Sequence, residues 1–331
     1  MLDTIRNLVK EQQGSGAIIA GLCLLVFIGV AALAVDIGHL VPVKEELQRA
    51  ADAGAMAGVR ALWPMTMPVI LNPPSNPDCA NAQNVAQTTA TSNHNKVDEA
   101  TLTTANLTIT VGHYDYGTKV FTPQPYCAPN TNAVQVTAQK VIGTIFFARI
   151  WNITSLRPRA TTTATMSFAK AVGKGTIPIA INKPSVVPGN VVYINFNPDP
   201  LDTGGWFADP PDSASAKTFK DYIGNDSCPP LKIGDVITLQ NGVDGTALDA
   251  LKTELANHPG GWDTYLPVVD TDKFNSSEPI VAFVPFRITE VTTSGNNKGV
   301  TGTVLGLAQC GGALPGSEVN YGVLAPPKAV N

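Results

Sequence analysis

Charged side chains are scarce in this sequence. Only 15% of the 331 residues carry charge, 22 basic and 26 acidic, and the formal net charge is -4. No long basic run occurs, so the sequence lacks the positive stripe that nucleic-acid binding requires, and we expect no nucleic-acid partner. Glycine (29) and proline (26) are abundant and scattered. Together with many Thr, Asn and Val residues in the middle of the chain, they favour strands and turns over long helices.

Motifs that carry catalytic chemistry are also missing. The chain has no P-loop, no G-x-S-x-G elbow and no H-E-x-x-H pair. Its histidines, which are His39, His94, His113 and His258, show no metal-ligand spacing such as H-x3-H. His113 lies in the segment GHYDYG, which is typical of a turn after a strand. We therefore predict a protein that is not an enzyme, with no cofactor, no metal and no small-molecule substrate.

One acidic segment leaves a calcium site open. The stretch DPLDTGGWFADPPD contains Asp199, Asp202, Asp209 and Asp212, whose carboxylates could supply several oxygen ligands. The spacing lacks the order of an EF-hand loop. The prediction is therefore a solvated, proline-rich loop, with calcium binding as the alternative.

No two of the five cysteines are in C-x-x-C spacing, which argues against zinc and thioredoxin-like chemistry. Cys23 lies inside an apolar run. Cys79, Cys127, Cys228 and Cys310 are widely spaced in polar sequence, and in an oxidising compartment four such residues predict two disulfides. Three connectivities are possible. We prefer Cys79–Cys127 with Cys228–Cys310, because each pair then stays within one proposed domain; four unpaired thiols are the alternative.

Residues 17–35, AIIAGLCLLVFIGVAALAV, contain no charged side chain. As a helix they would be about 28 Å long, close to the ~30 Å hydrocarbon core of a bilayer. Arg6 and Lys10 precede this run and Asp36 follows it, a pattern that weakly favours a cytoplasmic N-terminus. The predicted oxidising compartment for the remaining chain agrees with that orientation. The sequence thus predicts a single membrane-spanning helix.

Two processing events compete with a retained anchor. The triplet Ala32-Leu33-Ala34 could be a signal-peptidase site, although the apolar run is longer than a usual signal core and the helical pattern continues beyond it. A prepilin-type cut after Gly14 or Gly16 would place Ile19 or Gly21 where such motifs usually carry Glu. We therefore expect the anchor to be retained.

Residues 43–62 are rich in helix formers, and small side chains recur on one side. This helix-packing face consists of Leu47, Ala51, Gly54, Gly58 and Ala61. It either packs against the protein's own sheet or associates with another helix, since Gly54 and Gly58 form a G-x-x-x-G motif. Gln48 is expected to lie off the face, and Pro42 is expected to kink or break the helix.

The apolar span closes with A-V-D-I-G and is followed by a helix of the pattern L-Q-x-A-A-D-A-x-A-x-A-G, here Leu47, Gln48, Ala50, Ala51, Asp52, Ala53, Ala55, Ala57 and Gly58. In this pattern the N-terminal 60 residues resemble those of TadG-like (TadE/TadG-like) Flp pilus-assembly proteins. Pro42 departs from the family pattern. The resemblance, looser to about residue 170, implies a bacterial inner-membrane protein with pilus-assembly subunits as partners.

Larger members of that family can carry a von Willebrand A domain with a D-x-S-x-S metal motif. Here Asp212-Ser213-Ala214-Ser215 places Ala214 where the first metal-binding serine would stand. Metal-dependent adhesion is therefore not carried over to this chain.

The rest of the sequence predicts mostly strands. A helix is expected at 81–91 and another at 144–151, with one-sided strands at 107–111, 134–138 and 160–168. Residues 169–175 are interpreted as a linker and 325–331 as an extended tail. Between them we predict a helix at 246–257 and strands at 177–181, 191–196, 236–239, 265–269, 280–288 and 300–305.

These observations predict an α+β protein with four parts. A cytoplasmic leader (1–16) precedes a transmembrane helix (17–35), a small α+β module with an antiparallel sheet (36–170) and a mainly antiparallel β domain (171–331). The predicted function is a membrane-anchored, non-enzymatic component of Tad/Flp-type pilus assembly or secretion, in contact with lipid and pilus-assembly subunits. The alternative is a surface-exposed adhesin or binding protein that uses the C-terminal β domain.

Overall fold

The protein is an α+β structure with one long N-terminal helix and mostly antiparallel sheets. A computed structural model describes residues 2–63, 76–143, 152–173, 175–196, 203–210, 212–224, 228–295, 297–318 and 320–330, with side chains from Ile18 onward. The predicted helix at 144–151 and two of the acidic residues, Asp199 and Asp202, lie outside the described residues. Within these ranges the chain forms four α-helices and 17 strands.

Helix α1 spans Leu2–Ala61 without interruption and includes Pro42. The expected break at Pro42 is therefore wrong. Proline removes the one backbone bond that residue 42 would donate to the carbonyl of Gly38. Long helical stretches on both sides keep their own bonds, and helix propagation is cooperative, so the loss of one bond does not end the helix.

The first sheet contains the strands predicted at 107–111 and 134–138 and the part of the predicted strand 160–168 that ends at Thr165; Phe168 belongs to a separate strand. The order of this first sheet is β17-β4-β3-β1-β2, and helix α2 (Cys79–Ala90) precedes it in the chain. The strands are β1 (Leu107–Asp115), β2 (Val120–Pro123), β3 (Ala133–Gln139), β4 (Arg159–Thr165) and β17 (Lys328–Val330). Strand β17 pairs antiparallel with β4, with Ala329 opposite Ala164. The interpretation of residues 325–331 as an extended tail is therefore wrong for 328–330.

A second sheet contains residues that the sequence indicated as a linker. Strand β5 (Phe168–Val172) pairs with β9, β15 and β16, and it is buried except at Lys170. The partners are β9 (Leu231–Lys232), β14 (Ala308–Gln309), β15 (Leu314–Ser317) and β16 (Val323–Leu324), in the order β14-β16-β5-β15. Because β5 is a short run of small and apolar residues flanked by Gly173, its composition is close to that of a linker; only its distant partners make it a strand.

The third sheet has seven strands in the order β10-β8-β6-β11-β12-β13-β7, and β10 also pairs with β12. That additional pairing closes β10, β8, β6, β11 and β12 into a five-stranded ring, the arrangement of a small barrel. Pairing is antiparallel except between β6 and β11. The bounds are β6 (Ile179–Asn182), β7 (Val191–Asn195), β8 (Gly204–Ala208), β10 (Val236–Gln240), β11 (Trp262–Val269), β12 (Ser277–Thr292) and β13 (Gly299–Val304).

Strand β8 corrects the prediction of a solvated loop at 199–212. All five of its residues are buried. Trp206 stacks on Phe196 and Phe219, with ring centroids 4.2 and 5.2 Å apart. A side chain at Gly205 would lie 2.6 Å from the Cβ of Phe274, so only glycine allows this approach. The two glycines that made the segment look like a loop are needed for this packing.

Helices α3 (Ala216–Gly224) and α4 (Gly245–Leu255) contribute to the core of the same region. Asp244 caps α4, since its carboxylate accepts a hydrogen bond from the amide of Ala247. The helix predicted at 246–257 is therefore confirmed to within two residues at each end. Helix α3 was not expected from the sequence.

Close contacts divide the chain into two compact units. The first comprises Met1–Ala55, Ala86–Ile109 and Val136–Thr162, and the second Met56–Val85, Thr110–Gln135 and Thr163–Asn331. The division of the chain after residue 170 into an α+β module and a β domain stays a prediction.

Candidate functional site: the anchor helix and its packing face

The N-terminal part of α1 presents a continuous apolar surface. Between residues 18 and 35 the large hydrophobic side chains are all more than half exposed, up to 73% at Phe27. It is the one helix in the described ranges that is long and apolar enough to cross a membrane. Such a surface is unfavourable in water and favourable in lipid, where the helix also satisfies every backbone polar group internally. The helix can therefore serve as a membrane anchor.

The packing face of α1 lies further along the same helix. Leu47, Ala51, Gly54 and Gly58 are buried, and Ala61 is partly buried. A Cβ built on Gly54 would lie 3.0 Å from both the Ala86 carbonyl oxygen and the Ala90 Cβ in α2. At Gly54 the absence of a side chain therefore lets helix α2 of the same chain approach closely, and Cγ1 of Val136 in β3 lies 3.6 Å from the same position. The choice between the two interpretations of the whole face stays a prediction.

A polar network holds α1 to strand β4 inside the first unit. Gln48 donates from Nε2 to Oδ1 of Asp52 at 2.8 Å and to Oγ1 of Thr162 at 2.7 Å. The Thr162 hydroxyl in turn donates to Oδ1 of Asp52. Because a buried polar group must find a partner, the three side chains satisfy one another.

The expectation that Gln48 lies off the packing surface is therefore incomplete. Gln48 is half-buried and bound to a strand 114 positions away. The signal was present in the sequence: a Gln and an Asp four residues apart inside a run of alanines lie on one side of a helix. What the sequence could not supply was their partner Thr162, one of several threonines in β4.

A second set of polar contacts lies nearer the anchor, also in the first unit. The Asp98 carboxylate lies 3.6 Å from His39 Nε2 and 3.8 Å from Lys140 Nζ. The amide of Asp98 donates to Oε2 of Glu46 at 2.7 Å, and Lys140 donates to the Val97 carbonyl. The turn that contains Asp98 thus connects α1 to the residue that follows β3.

The disulfide predicted between Cys79 and Cys127 is present, with Cα atoms 5.8 Å apart. Cys79 is the first residue of α2. Near the same end, Nδ2 of Asn81 donates to the Ala61 carbonyl at 3.2 Å, so the start of α2 is fixed to the end of α1 within the second unit. Cys228 and Cys310 are both buried in one apolar cluster, and their pairing stays a prediction.

The acidic segment near β8 shows no metal-ligand cluster in the part of the chain that the structure describes. The Tyr222 hydroxyl donates to Oδ2 of Asp212 at 2.6 Å. Burial, together with the negative charges of Asp235 and Asp212, raises the pKa of Asp209 above its usual range. The structure thus gives the Asp212 carboxylate a partner within the protein, which the sequence did not suggest.

A cleft lies in the second unit beside α4 and β11. Its lining includes Trp262, whose ring stacks on that of His258 with centroids 5.6 Å apart, and Glu254, which lies 3.4 Å from Nε2 of the same histidine. Thr176 also lines it, and among the described residues its buried hydroxyl has no hydrogen-bond partner. The cleft therefore combines an aromatic wall with polar side chains.

Comparison with known families found two matches, which cover most of α1 and most of the first sheet. Residues 14–61 match the Tad family, described as Flp pilus-assembly TadE/G-like, and residues 72–164 match Tad_C, described as Tad-like Flp pilus-assembly. No curated protein and no solved structure was found to match the chain. The two matches contain α1 from residue 14, α2, β1 to β3 and nearly all of β4. Residues 14–61 and 72–164 are therefore similar to two families described as Flp pilus-assembly.

Proposed function

We propose that this protein is a single-pass, membrane-anchored component of a Tad/Flp-type pilus-assembly or secretion apparatus and that it is not an enzyme. The observation that carries the proposal is the match of residues 14–61 and 72–164 to two Flp pilus-assembly families. The exposed apolar surface of α1 supports anchoring. The polar and helix–helix contacts of residues 48–54 support a rigid module directly above the anchor.

The proposed location is a bacterial inner membrane, with the N-terminus in the cytoplasm and the remaining chain outside it. Two observations support this orientation. Arg6 and Lys10 precede the apolar run, and the disulfide between Cys79 and Cys127 belongs to an oxidising compartment. Retention of the anchor is supported by the helix itself, because Ala34 lies in the middle of α1 and a cut there would have to open a continuous helix.

The proposed partners are other pilus-assembly subunits. The test is crosslinking in intact cells followed by solubilisation of the membrane, capture of a tagged full-length chain and identification of the proteins bound to it. We expect pilus-assembly proteins to be recovered, and a strain that lacks this chain to lose its pili. Unchanged piliation in that strain, with no assembly protein recovered, would contradict the proposal.

A second candidate is a surface-exposed adhesin or binding protein, and the cleft beside Trp262 favours it. An aromatic wall next to polar groups is the usual composition of a small-ligand site. The matched test compares adhesion of cells that carry the natural chain with cells that carry Trp262→Ala. Reduced adhesion with normal pili would support the binding role; reduced pili without a specific loss of adhesion would support the assembly role alone.

A further inference from the structure

The strands β3 and β4 continue past their named ends toward the anchor. The Lys140 amide donates to the Pro158 carbonyl, and Ile142 and Leu156 exchange two backbone hydrogen bonds. This register places Val141 directly opposite Arg157. We call the two arms, residues 139–143 and 153–159, the lower hairpin. Both arms belong to the first unit, which also contains α1 up to Ala55.

Contacts with α1 give the direction of the lower hairpin. Val136 in β3 and Thr162 in β4 contact the part of α1 between Gln48 and Gly54. Just past the end of β3, Lys140 is linked to the part of α1 between His39 and Glu46, because Asp98 contacts both. Four strand residues span about 13 Å. The corresponding shift along α1 is about nine residues, which is also about 13 Å. The strands therefore run along α1, toward its apolar part.

The same spacing places the end of the hairpin near the bilayer surface. Ile142 and Leu156 are two residues beyond Lys140 and Pro158, about 7 Å further, which corresponds to α1 at about residue 38. Ile153 is three residues beyond Leu156 and lies at most about 10 Å deeper. The predicted membrane span ends at residue 35, and the interfacial layer beyond the hydrocarbon core is about 5–7 Å thick. Val141 and Ile153 thus bracket this layer.

The outward face of the hairpin changes character at this depth. Higher on the sheet, the pair on this face is Thr137 and Thr161, whose hydroxyls bond each other at 2.9 Å. Near the anchor Val141 (54% exposed) and Ile153 (44%) are exposed, together with Arg157 and the polar Thr154 and Ser155. Apolar side chains beside a cation suit a lipid headgroup layer, where the aliphatic part is buried and the guanidinium binds phosphate.

One side of α1 is covered by the protein at the same depth. Ala32 and Asp36 are 3% and 7% exposed, whereas Leu33 and Val35 are more than half exposed. Part of the chain therefore lies against the anchor helix at the level where the membrane surface is expected. A lone anchor helix leaving the bilayer would be exposed on all sides.

We propose that the lower hairpin is a second membrane contact, which rests on the outer leaflet of the bilayer through Val141, Ile153 and Arg157. This inference depends on the membrane anchoring proposed above and adds to it a surface outside α1. The contact would fix the tilt and rotation of the module relative to the membrane, which a single helix with a free axis does not do.

The test uses the full chain reconstituted into phosphatidylethanolamine and phosphatidylglycerol vesicles. A polarity-sensitive fluorophore is attached at Val141→Cys or Ile153→Cys in a Cys23→Ser background, and the signal of the labelled parent is subtracted. Thr137→Cys is the matched control, because residue 137 lies four residues before Val141 on the same face of the sheet. Nitroxide-bearing lipids report contact with the leaflet, and aqueous iodide reports contact with water.

We expect labels at 141 and 153 to show blue-shifted emission and quenching by the nitroxide lipids, whereas the label at 137 is quenched by iodide. Equal iodide quenching at all three positions, in protein that still floats with the vesicles, would refute the second contact and leave the anchor intact. Failure of the chain to float with the vesicles would refute the anchoring and the second contact together.

Discussion

The amide of Gln48 in α1 binds the hydroxyl of Thr162 in β4 at 2.7 Å, and both side chains bind Asp52. This contact explains the two polar positions, Gln48 and Asp52, within the alanine-rich part of α1. Ala50, Ala51 and Ala55 are fully buried, and their small side chains allow close packing. The Gln and Asp give that packing a single register, because only one alignment of helix and strand brings them to Thr162.

Removal of a member of this network should destabilise the protein. Asp52→Ala leaves Gln48 and Thr162 without their shared acceptor, which should lower the free energy of unfolding by about 1–3 kcal/mol. The measurement is thermal unfolding of the detergent-solubilised chain. Glu45→Ala is the control, since Glu45 is exposed on the same helix and should change little. Equal stability of the two variants would show that the network contributes nothing.

Enlargement of Gly54 should overpack the contact between α1 and α2. Even a Cβ would lie 3.0 Å from Ala86 O and Ala90 Cβ, so Gly54→Leu should cost about 1–3 kcal/mol or more and increase sensitivity to protease. Gly38→Leu is a matched control in the same helix, because nothing lies within 4 Å of its Cβ position. A protease-resistant, normally abundant Gly54→Leu protein would contradict the close approach.

Gly58 allows the two roles of the packing face to be separated. It is buried, and the sequence places it on the same stripe as Gly54. If the face only packs inside the protein, Gly58→Leu should be unstable and poorly accumulated. If it also binds a pilus component, the variant should accumulate but lose that partner on co-purification and fail to support pili. Normal abundance with normal pili would show that nothing packs closely at Gly58.

Loss of the disulfide between Cys79 and Cys127 should be costly. The bond closes a sequence separation of 48 residues, for which chain entropy predicts a loss of about 4 kcal/mol in Cys79→Ser. Thermal unfolding of that variant should resemble that of the natural chain under reducing conditions. Cys23→Ser, which removes an exposed cysteine of the anchor, should unfold like the natural protein. A Cys79→Ser protein as stable as this control would contradict the expectation.

We also predict a second disulfide, between Cys228 and Cys310, in the exported protein. Both residues lie in the same buried cluster. In protein that lacks the bond, burial raises the pKa of the Cys310 thiol, which slows its reaction with alkylating reagents in the folded state. The protein must therefore be denatured without a reducing agent before it is alkylated. Peptide mapping should then find Cys228 linked to Cys310. Alkylated Cys228 and Cys310 in that experiment would rule the bond out.

The sequence predicted elements well wherever a local pattern decides the structure. Alternation along residues 134–138 and the leucine spacing of 248–255 both gave elements that the structure contains. It failed where distant partners decide. Strands β5 and β17 are short segments whose own composition indicates a linker or a tail, and pairing with remote strands makes them part of sheets.

The site was predictable to a similar extent. The long apolar helix and its small-residue face follow from composition and helical spacing, and the disulfide between Cys79 and Cys127 follows from the preference for pairs within one proposed domain. The partners of Gln48 and of Asp98 do not, because Thr162 and Lys140 are ordinary surface-type residues until the fold brings them to α1.

The pairing of β17 with β4 constrains how the protein matures. Nearly all of strand β4 lies within the matched residues 72–164, and among the described residues its outer edge is paired by residues 328–330. If the chain crosses the membrane starting from its anchor, that edge stays open until residues 328–330 have been delivered. An open strand edge is a place where another chain can pair. Newly exported molecules would therefore pass through a period of vulnerability to mispairing, whose length depends on the speed of translocation.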